Sequence, residues 1–449
     1  MELAFPAEAR GEAPRAAGGR AETDMAERET ESPAVNERRM EEVCADDNVK
    51  KALKRVRSNK GAPGVDGMTV DELPAHLKEN WPGIREQLLN GTYKPQPVRR
   101  VNIPKPDGGA RPLGIPTALD RFIQQAMLQV MQQRWDETFS DHSYGFRPGR
   151  SAHQAVAKAQ QHIAEGHAWV VDTDIEKFFD RVNHDRLMAR VAQKEKDKRL
   201  LKLIRAFLNA GVMEGGLANA TGEGTPQGGP LSPLLSNIVL DELDKELERR
   251  GHRFVRYADD CNIYVRSERA GRRVMDGIRK FIERKLKLRV NDAKSAVDKP
   301  HKRKFLGFSF MAGANPRRRI SRQAQQRLKK KVRQKTHRAA GRNIKQTAAH
   351  LAPILRGWRG YYGFCQTPST LKKMDEWIRR RLRCIIWKQW RGGHNRYKKL
   401  TGLGIGKSLA ERTAASPHGP WRISRSPALH AALPVSFFDA LGLPRLAPQ

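Results

Sequence analysis

Amphipathic helical patterning begins near Asn48, breaks at the turn cluster GAPGVDG (Gly61–Gly67) and resumes over Val70–Leu89, which predicts a helical entry module. Val98–Pro116 then reads as strand, Pro/Gly turn and strand, with Asp107-Gly108-Gly109 supplying the positive-φ positions of a hairpin. Arg121–Arg134 places Phe122, Ile123, Ala126, Met127, Val130 and Met131 at helical intervals, so a helix with a buried face follows. Two later runs differ. WVVDTDIEKFF (Trp169–Phe179) and HRFVRYADDCNIYVRS (His252–Ser267) are short and β-rich, with carboxylates interrupting apolar residues, and the second alternates about a turn at Ala258–Asp260. Helix-like stretches at His184–Ala210 and Leu234–Arg250 lie between them, so the core falls in the α+β or α/β class.

The flanks read differently. Residues 1–40 hold nine acids and six bases and almost no large apolar side chain, which predicts a disordered tail ending near residue 47. Lys299–Met374 holds twenty-one Lys/Arg and no Asp or Glu, a partner surface. Leu328, Val332, Ile344, Leu351, Ile354, Leu355 and Trp358 keep helical intervals within it, so a folded helical domain is expected rather than a basic tail. Trp358, Trp377, Trp387 and Trp390 are expected in its core, with Arg379, Arg380, Arg381 and Arg383 outside. The last fifty residues, with Pro417, Pro420, Pro427 and Pro434, read as a small irregular extension; GIGKS there lacks the GxxxxGK[ST] spacing of a phosphate loop.

Composition narrows the function. The chain has 449 residues, a formal charge of +36 and a pI near 10.5, so its natural partners are polyanions. A 38% hydrophobic content with 37 glycines matches ordinary globular domains and excludes wholesale disorder. No apolar run approaches the roughly 18–20 residues that span a bilayer, the start lacks an apolar secretion segment, and Cys44, Cys261, Cys365 and Cys384 form no CxxC pair. Cytoplasmic residence is the expectation, without membrane attachment, zinc fingers or disulfides.

The candidate chemistry lies in Asp174 and the adjacent pair Asp259-Asp260. Carboxylates among apolar residues cost several kcal/mol to bury unless a cation compensates. At a tight hairpin both members of an Asp-Asp pair can approach one cation, and with Asp174 on a neighbouring strand the three could hold two divalent ions about 4 Å apart, the arrangement of two-metal phosphoryl transfer. Magnesium suits such oxygen ligands.

The ordered series RPLGIP (Arg111–Pro116), YGFRPGRSAHQAV (Tyr144–Val156), DIEKFFD (Asp174–Asp180), TPQGGPLSPLLSNIVLDELD (Thr225–Asp244), YADD (Tyr257–Asp260), LRVNDAKS (Leu288–Ser295) and KFLGF (Lys304–Phe308) resembles group II intron-encoded reverse transcriptases. RGWRGYYGF (Arg356–Phe364) resembles their maturase, or thumb, domain. The resemblance covers about residues 48–395. It implies an α+β right-hand polymerase with fingers and palm over 48–310, a mainly helical maturase/thumb domain over 311–395 and a basic C-terminal extension over 396–449. It further implies two Mg²⁺ ions on Asp174, Asp259, Asp260 and the Ile175 carbonyl.

By the same resemblance Lys105 and Arg111 hold the incoming triphosphate, Phe179 crowds the sugar 2′ position, Gln227 lies near the nucleotide and Lys294 protonates departing pyrophosphate. Tyr144, Phe146 and Arg147 would contact template or primer, or equally brace the fingers. Arg317, Arg318, Arg319, Lys329, Lys330, Lys331, Arg356, Arg359, Tyr361 and Tyr362 would contact nucleic acid, although the two tyrosines can equally pack between helices. The implied partners are the host group II intron RNA, dNTPs and a target DNA offering an existing 3′ end, single-stranded or at a replication fork. Many relatives append an HNH endonuclease; GGHNR (Gly392–Arg396) alone hints at one and no Cys pair follows, so none is expected and the ending resembles compact bacterial C-class proteins. Two alternatives stand beside this reading: a splicing factor with a vestigial polymerase site, and another bacterial reverse transcriptase such as a retron or defence enzyme. The intact acidic and basic site residues count against the first, and RGWRGYYGF against the second.

Overall fold

The computed structural model describes residues 38–448 other than 105–108, 215–216, 220–227, 314 and 338–340. The chain opens on three helices, α1 (Arg39–Val43), α2 (Asp46–Ser58) and α3 (Leu73–Leu89). The expected tail therefore ends earlier than residue 47. Met40, Val43 and Cys44 are fully buried in the largest core, and the Met40 amide donates to Asp197 Oδ2 at 3.0 Å. A five-residue helix is too short to impose a visible period on a charged sequence.

The hairpin appears as β1 (Val98–Pro104) and β2 (Ala110–Ile115), paired antiparallel, and α4 (Ala118–Asp136) follows it, N-capped by the Thr117 hydroxyl accepting from the Asp120 amide. This helix is buried nearly all round. Its Asp120 accepts from Tyr93, Gln96 and Thr117, and burial still pushes its carboxyl up to about 6. A capping box of Ser151 and Gln154 starts α5 (Ala152–Ala164), which leads into β3 (Trp169–Thr173). The run expected as one helical stretch, 184–210, divides. After α6 (Phe178–Arg181) come α7 (His184–Val191) and α8 (Lys198–Asn209), because Asp197 caps a new helix by accepting from the Arg199 amide. Strands β4 (Val212–Glu214) and β5 (Leu217–Asn219) extend the hairpin to a sheet of order β2-β1-β4-β5.

The second sheet carries the site. After α9 (Ser232–Arg249) come β6 (Arg253–Tyr257), β7 (Asp260–Val265), α10 (Glu268–Phe281) with a π-helical turn, and β8 (Ala296–Asp298). The strand order is β6-β7-β3-β8, every pair antiparallel. Helices α9 and α10 bury one face of this sheet, placing Ile238, Ile278, Ile263 and Val171 in one core with α4.

A small sheet, β9 (Phe308–Phe310) with β10 (Arg318–Ile320), precedes α11 (Arg322–Lys335), α12 (Ile344–Tyr362) and α13 (Pro368–Gln389). The basic run is thus folded and helical, as its spacing predicts. The C-terminal residues correct the sequence reading: instead of an irregular extension they form α14 (Gly393–Gly402), α15 (Lys407–Ala414), α16 (Pro420–Ile423), α17 (Pro427–Ala432) and α18 (Val435–Ala440). Leu400, Leu429, Phe438 and Leu446 share one core with Leu328, Leu355 and Trp387, so no division between cores falls at residue 395. Pro420 and Pro427 start helices rather than stop them, since proline is favoured in the first turn. Arg379 and Arg383 are also buried, not outside: Arg379 pairs with Asp375 at 2.9 Å, and Arg383 donates to the Leu433 carbonyl at 2.9 and 3.0 Å. Among the described residues no helix is long and apolar enough to cross a membrane.

Candidate active site

The last rung of the β3–β7 ladder pairs Thr173 with Cys261, so the next residues, Asp174 and Asp260, emerge at the same end of the sheet. At that end β6 and β7 are joined by Ala258 and Asp259 alone, closed by the Tyr257–Asp260 pair. Ala258 sits at φ +57°, the left-handed region that costs a non-glycine residue about 1–2 kcal/mol. A side chain buried beneath the turn holds it there.

That side chain is Arg256, whose guanidinium is fully buried and uses all five of its N–H donors. Nε and Nη2 donate to Asp244 at 2.7 and 2.5 Å, Nη1 to Asn237 Oδ1 at 3.0 Å and to the Ala258 carbonyl at 2.9 Å, and Nη2 to Ser143 Oγ at 2.8 Å. Asn237 and Asp244 lie seven residues apart on α9, two turns along one face, and so reach the same group. The Arg256 backbone is stitched to the 142–144 loop, its amide donating to His142 O and its carbonyl accepting from Tyr144 N, both at 2.9 Å. Gly145 then passes so close that an added Cβ would lie 2.2 Å from the Ala258 amide nitrogen. Beyond it Phe146, at φ +60°, is 46% exposed beside the turn.

The electrostatics favour a cation. Desolvation first, then repulsion from Asp259, Asp172 and Asp174, pushes the Asp260 carboxyl up to about 7, although the residue is exposed at the end of β7. Asp172, on β3, lies two residues before Asp174 and close enough to repel it. Arg303 neutralises Asp172, donating at 2.9 and 2.6 Å to Oδ2, and leaves Asp174 for other work. The Asp174 backbone is pinned by Ser295 Oγ at 3.0 Å and by the Asn291 amide at 2.8 Å. Lys294 Nζ stands 3.7 Å from Asp174 Oδ2.

Among the described residues no three His, Cys, Asp or Glu side chains close into a ready-made metal cage. An open carboxylate set is nevertheless what magnesium uses, since it keeps waters and substrate phosphates in its shell and takes only one or two protein carboxylates. Asp174, Asp259 and Asp260 fit that requirement by chemistry and by mutual repulsion.

The remaining expected residues divide. Lys105, Gln227 and the side chain of Arg111 lie outside the described residues; the Arg111 backbone pairs with Ile103 in the hairpin. Ile175 is buried and bridges to Val290. Phe179 is half-buried, its ring edge-on to Phe178 at 5.3 Å. Tyr144 is buried, and Arg147 braces the neighbouring loop, holding Asp136 together with the Ser140 and Ser143 carbonyls. Arg318 lies 3.9 Å over the Phe364 ring and bonds Gln160, while Arg319 bonds Ser309. Tyr361 donates to the Leu306 carbonyl at 2.8 Å and the Tyr362 ring lies 5.4 Å from that of Phe308, joining α12 to the β9 region; within α12, Tyr362 also packs on Trp358 at 4.8 Å. Lys329 lies over Trp377; Arg317, Lys330, Lys331, Arg356 and Arg359 are exposed. The sequence reading passed over Asp172, Arg303 and Arg256. Asp172 carried a signal in its two-residue offset from Asp174, and Arg256 in its place just before the turn, but Arg303 carried none.

Residues 103–310 match the reverse transcriptase (RNA-dependent DNA polymerase) family, and residues 325–404 match the group II intron maturase-specific domain. Protein YkfC of Escherichia coli (strain K12) is 37% identical over 284 residues, 54% of this chain and 74% of that protein. Group II intron-encoded protein LtrA of Lactococcus lactis subsp. cremoris is 42% identical over 195 residues, 43% of this chain and 32% of LtrA, so the chain spans about a third of that relative's length. Among solved structures a telomerase from Candida albicans aligns with a TM-score of 0.41 and 12% identity, covering 78% of this chain and 62% of that one. With the polymerase blocks matched in one family and the helical region behind them matched in the other, this chain belongs to the group II intron reverse transcriptase/maturase family.

Proposed function

We propose that the chain is an RNA-directed DNA polymerase and maturase that binds its host group II intron RNA, assists splicing and copies the intron into DNA at a target site. The observation that carries this reading is the meeting of Asp174 with the Asp259-Asp260 turn at one end of the sheet, beside Lys294 and ahead of a domain with an acid-free basic run. Two bound magnesium ions would supply activation of the primer 3′ hydroxyl and stabilisation of the charge on the leaving pyrophosphate.

The chain's own residues do the rest. Asp174, Asp259 and Asp260, with the Ile175 carbonyl, would hold the ions, the first pinned through its backbone and the pair through the Arg256-anchored turn. Lys294 is mostly exposed and close to Asp174, where it can give a proton to pyrophosphate. Lys105 and Arg111 would bind the triphosphate of a dNTP, Gln227 would approach the nucleotide, and the edge of Phe179 would exclude a ribose 2′ hydroxyl.

Primer extension on poly(rA)/oligo(dT) with Mg²⁺ tests the reading. Asp259→Ala with Asp260→Ala is expected to abolish cDNA synthesis while intron RNA binding stays within a few-fold. Full synthesis by that variant overturns the site, and no synthesis by the unaltered protein favours a splicing factor with a vestigial polymerase site.

A further inference from the structure

We infer that the groove between α11 and α12 seats one unpaired nucleotide of an RNA strand, its base on the aromatic floor and its phosphate on the cationic lip. The inference rests on the reading of this domain as an RNA-binding one and adds to it a site. The groove is open to solvent and offers about 440 Å³, within the size range of clefts that take small ligands. Trp358 and Tyr362 form its floor, both half-buried, with ring centroids 4.8 Å apart and planes tilted by 36°. Arg327 and Lys331 stand on the opposite lip, both exposed.

Three features point outward from the fold. Arg327 and Lys331 are like charges one helical turn apart, a spacing that disfavours the helix by itself. No Asp or Glu occurs between residues 299 and 374, and among the described residues neither cation has an ion-pair partner. Across the groove, Gly357 lies inside α12, where alanine would be the better helix former. Internal packing does not require that glycine, since an added Cβ would meet nothing within 4 Å; the same holds for Gly360 one turn on. The bare backbone lies between the exposed guanidinium-bearing residues Arg356 and Arg359. A partner that approaches this helix closely, carries negative charge and presents a flat apolar face accounts for all three.

An RNA strand with a splayed base has these properties. Aromatic side chains stack on unpaired bases whatever their identity, and cations beside them take the phosphates. A duplex keeps its bases stacked inside and can offer only phosphates.

The test uses the full chain and a fluorescein-labelled single-stranded RNA of mixed sequence, with a blunt duplex of the same strand as comparison. Gly357→Ala is expected to keep or raise the melting temperature, because helix propensity improves, while weakening single-stranded RNA binding about five-fold or more and duplex binding by less than two-fold. Arg327→Gln with Lys331→Gln should lower the slope of log affinity against log salt by roughly 0.7 to 1.4 on the single strand. Ultraviolet crosslinking of a 5-iodouridine strand should map to Trp358 or Tyr362. Unchanged single-strand affinity in Gly357→Ala, or equal loss on the duplex, overturns the nucleotide site alone. Failure of the unaltered protein to bind either RNA overturns the RNA-binding reading beneath it.

Discussion

Lysine in place of Arg256 keeps the charge but removes the fork. The guanidinium satisfies five acceptor contacts on Asp244, Asn237, Ser143 and the Ala258 carbonyl, whereas an ammonium has three donors, so two contacts go unmet. At about 1–3 kcal/mol for each unmet buried acceptor, Arg256→Lys should cost about 2–6 kcal/mol. For a folding unit of this size that lowers the melting temperature by roughly 4–24 °C. Arg256→Met is worse in kind, because it leaves Asp244, fully buried, without its cation, at a cost of about 3–5 kcal/mol.

Stability alone would make Arg256 structural. The bond to the Ala258 carbonyl adds a catalytic consequence, since that turn carries Asp259 and Asp260. At 20 °C, with folding verified by circular dichroism, Arg256→Lys should lower kcat for nucleotide addition about 10–100-fold and raise the Mg²⁺ concentration at half-maximal rate. Affinity for template–primer should stay within two-fold. Wild-type kcat and Mg²⁺ dependence in a folded Arg256→Lys protein would refute the link between this buried group and the turn.

Lys294→Met should reduce single-turnover incorporation about 10²-fold, the lower end for a lost general acid, and an unchanged rate would remove Lys294 from proton transfer. Phe146→Gly should leave the melting temperature unchanged or higher, since the side chain is exposed at positive φ, yet raise KM for template–primer several-fold; steady-state extension measures it. His162 predicts a pH effect on stability. Its ring lies among His142, His167 and Tyr264, with Glu165 Oε2 at 3.5 Å, and burial lowers its pKa to about 4. Between about 4 and 6.5 the unfolded chain therefore binds the proton and the folded one does not, so this residue makes stability rise with pH by up to about 1.4 kcal/mol per unit. Asp120, raised to about 6, acts in the opposite sense over part of that window. The check is the urea midpoint of wild type minus that of His162→Phe from pH 4.5 to 7.5, which should rise with pH and level off near neutral.

Local pattern determined a good part of this molecule. The β1–β2 and β6–β7 hairpins, the helix α4 and the folding of the basic run into helices follow from periods of two or 3.6 and from turn residues, all read within a dozen positions. The carboxylates of the site were legible for a related reason: an acid inside an apolar strand stands out against its immediate neighbours in the chain. What only the tertiary structure decided is the fate of the charges. Arg256, Arg379 and Arg383 look like surface residues until α9, Asp375 and the Leu433 carbonyl arrive from elsewhere in the chain to satisfy them. The short C-terminal helices, too, are stable only against a core contributed by α11 to α13. Burying a guanidinium or a six-residue helix depends on partners many residues away, and the energy that decides it is absent from any local window of sequence.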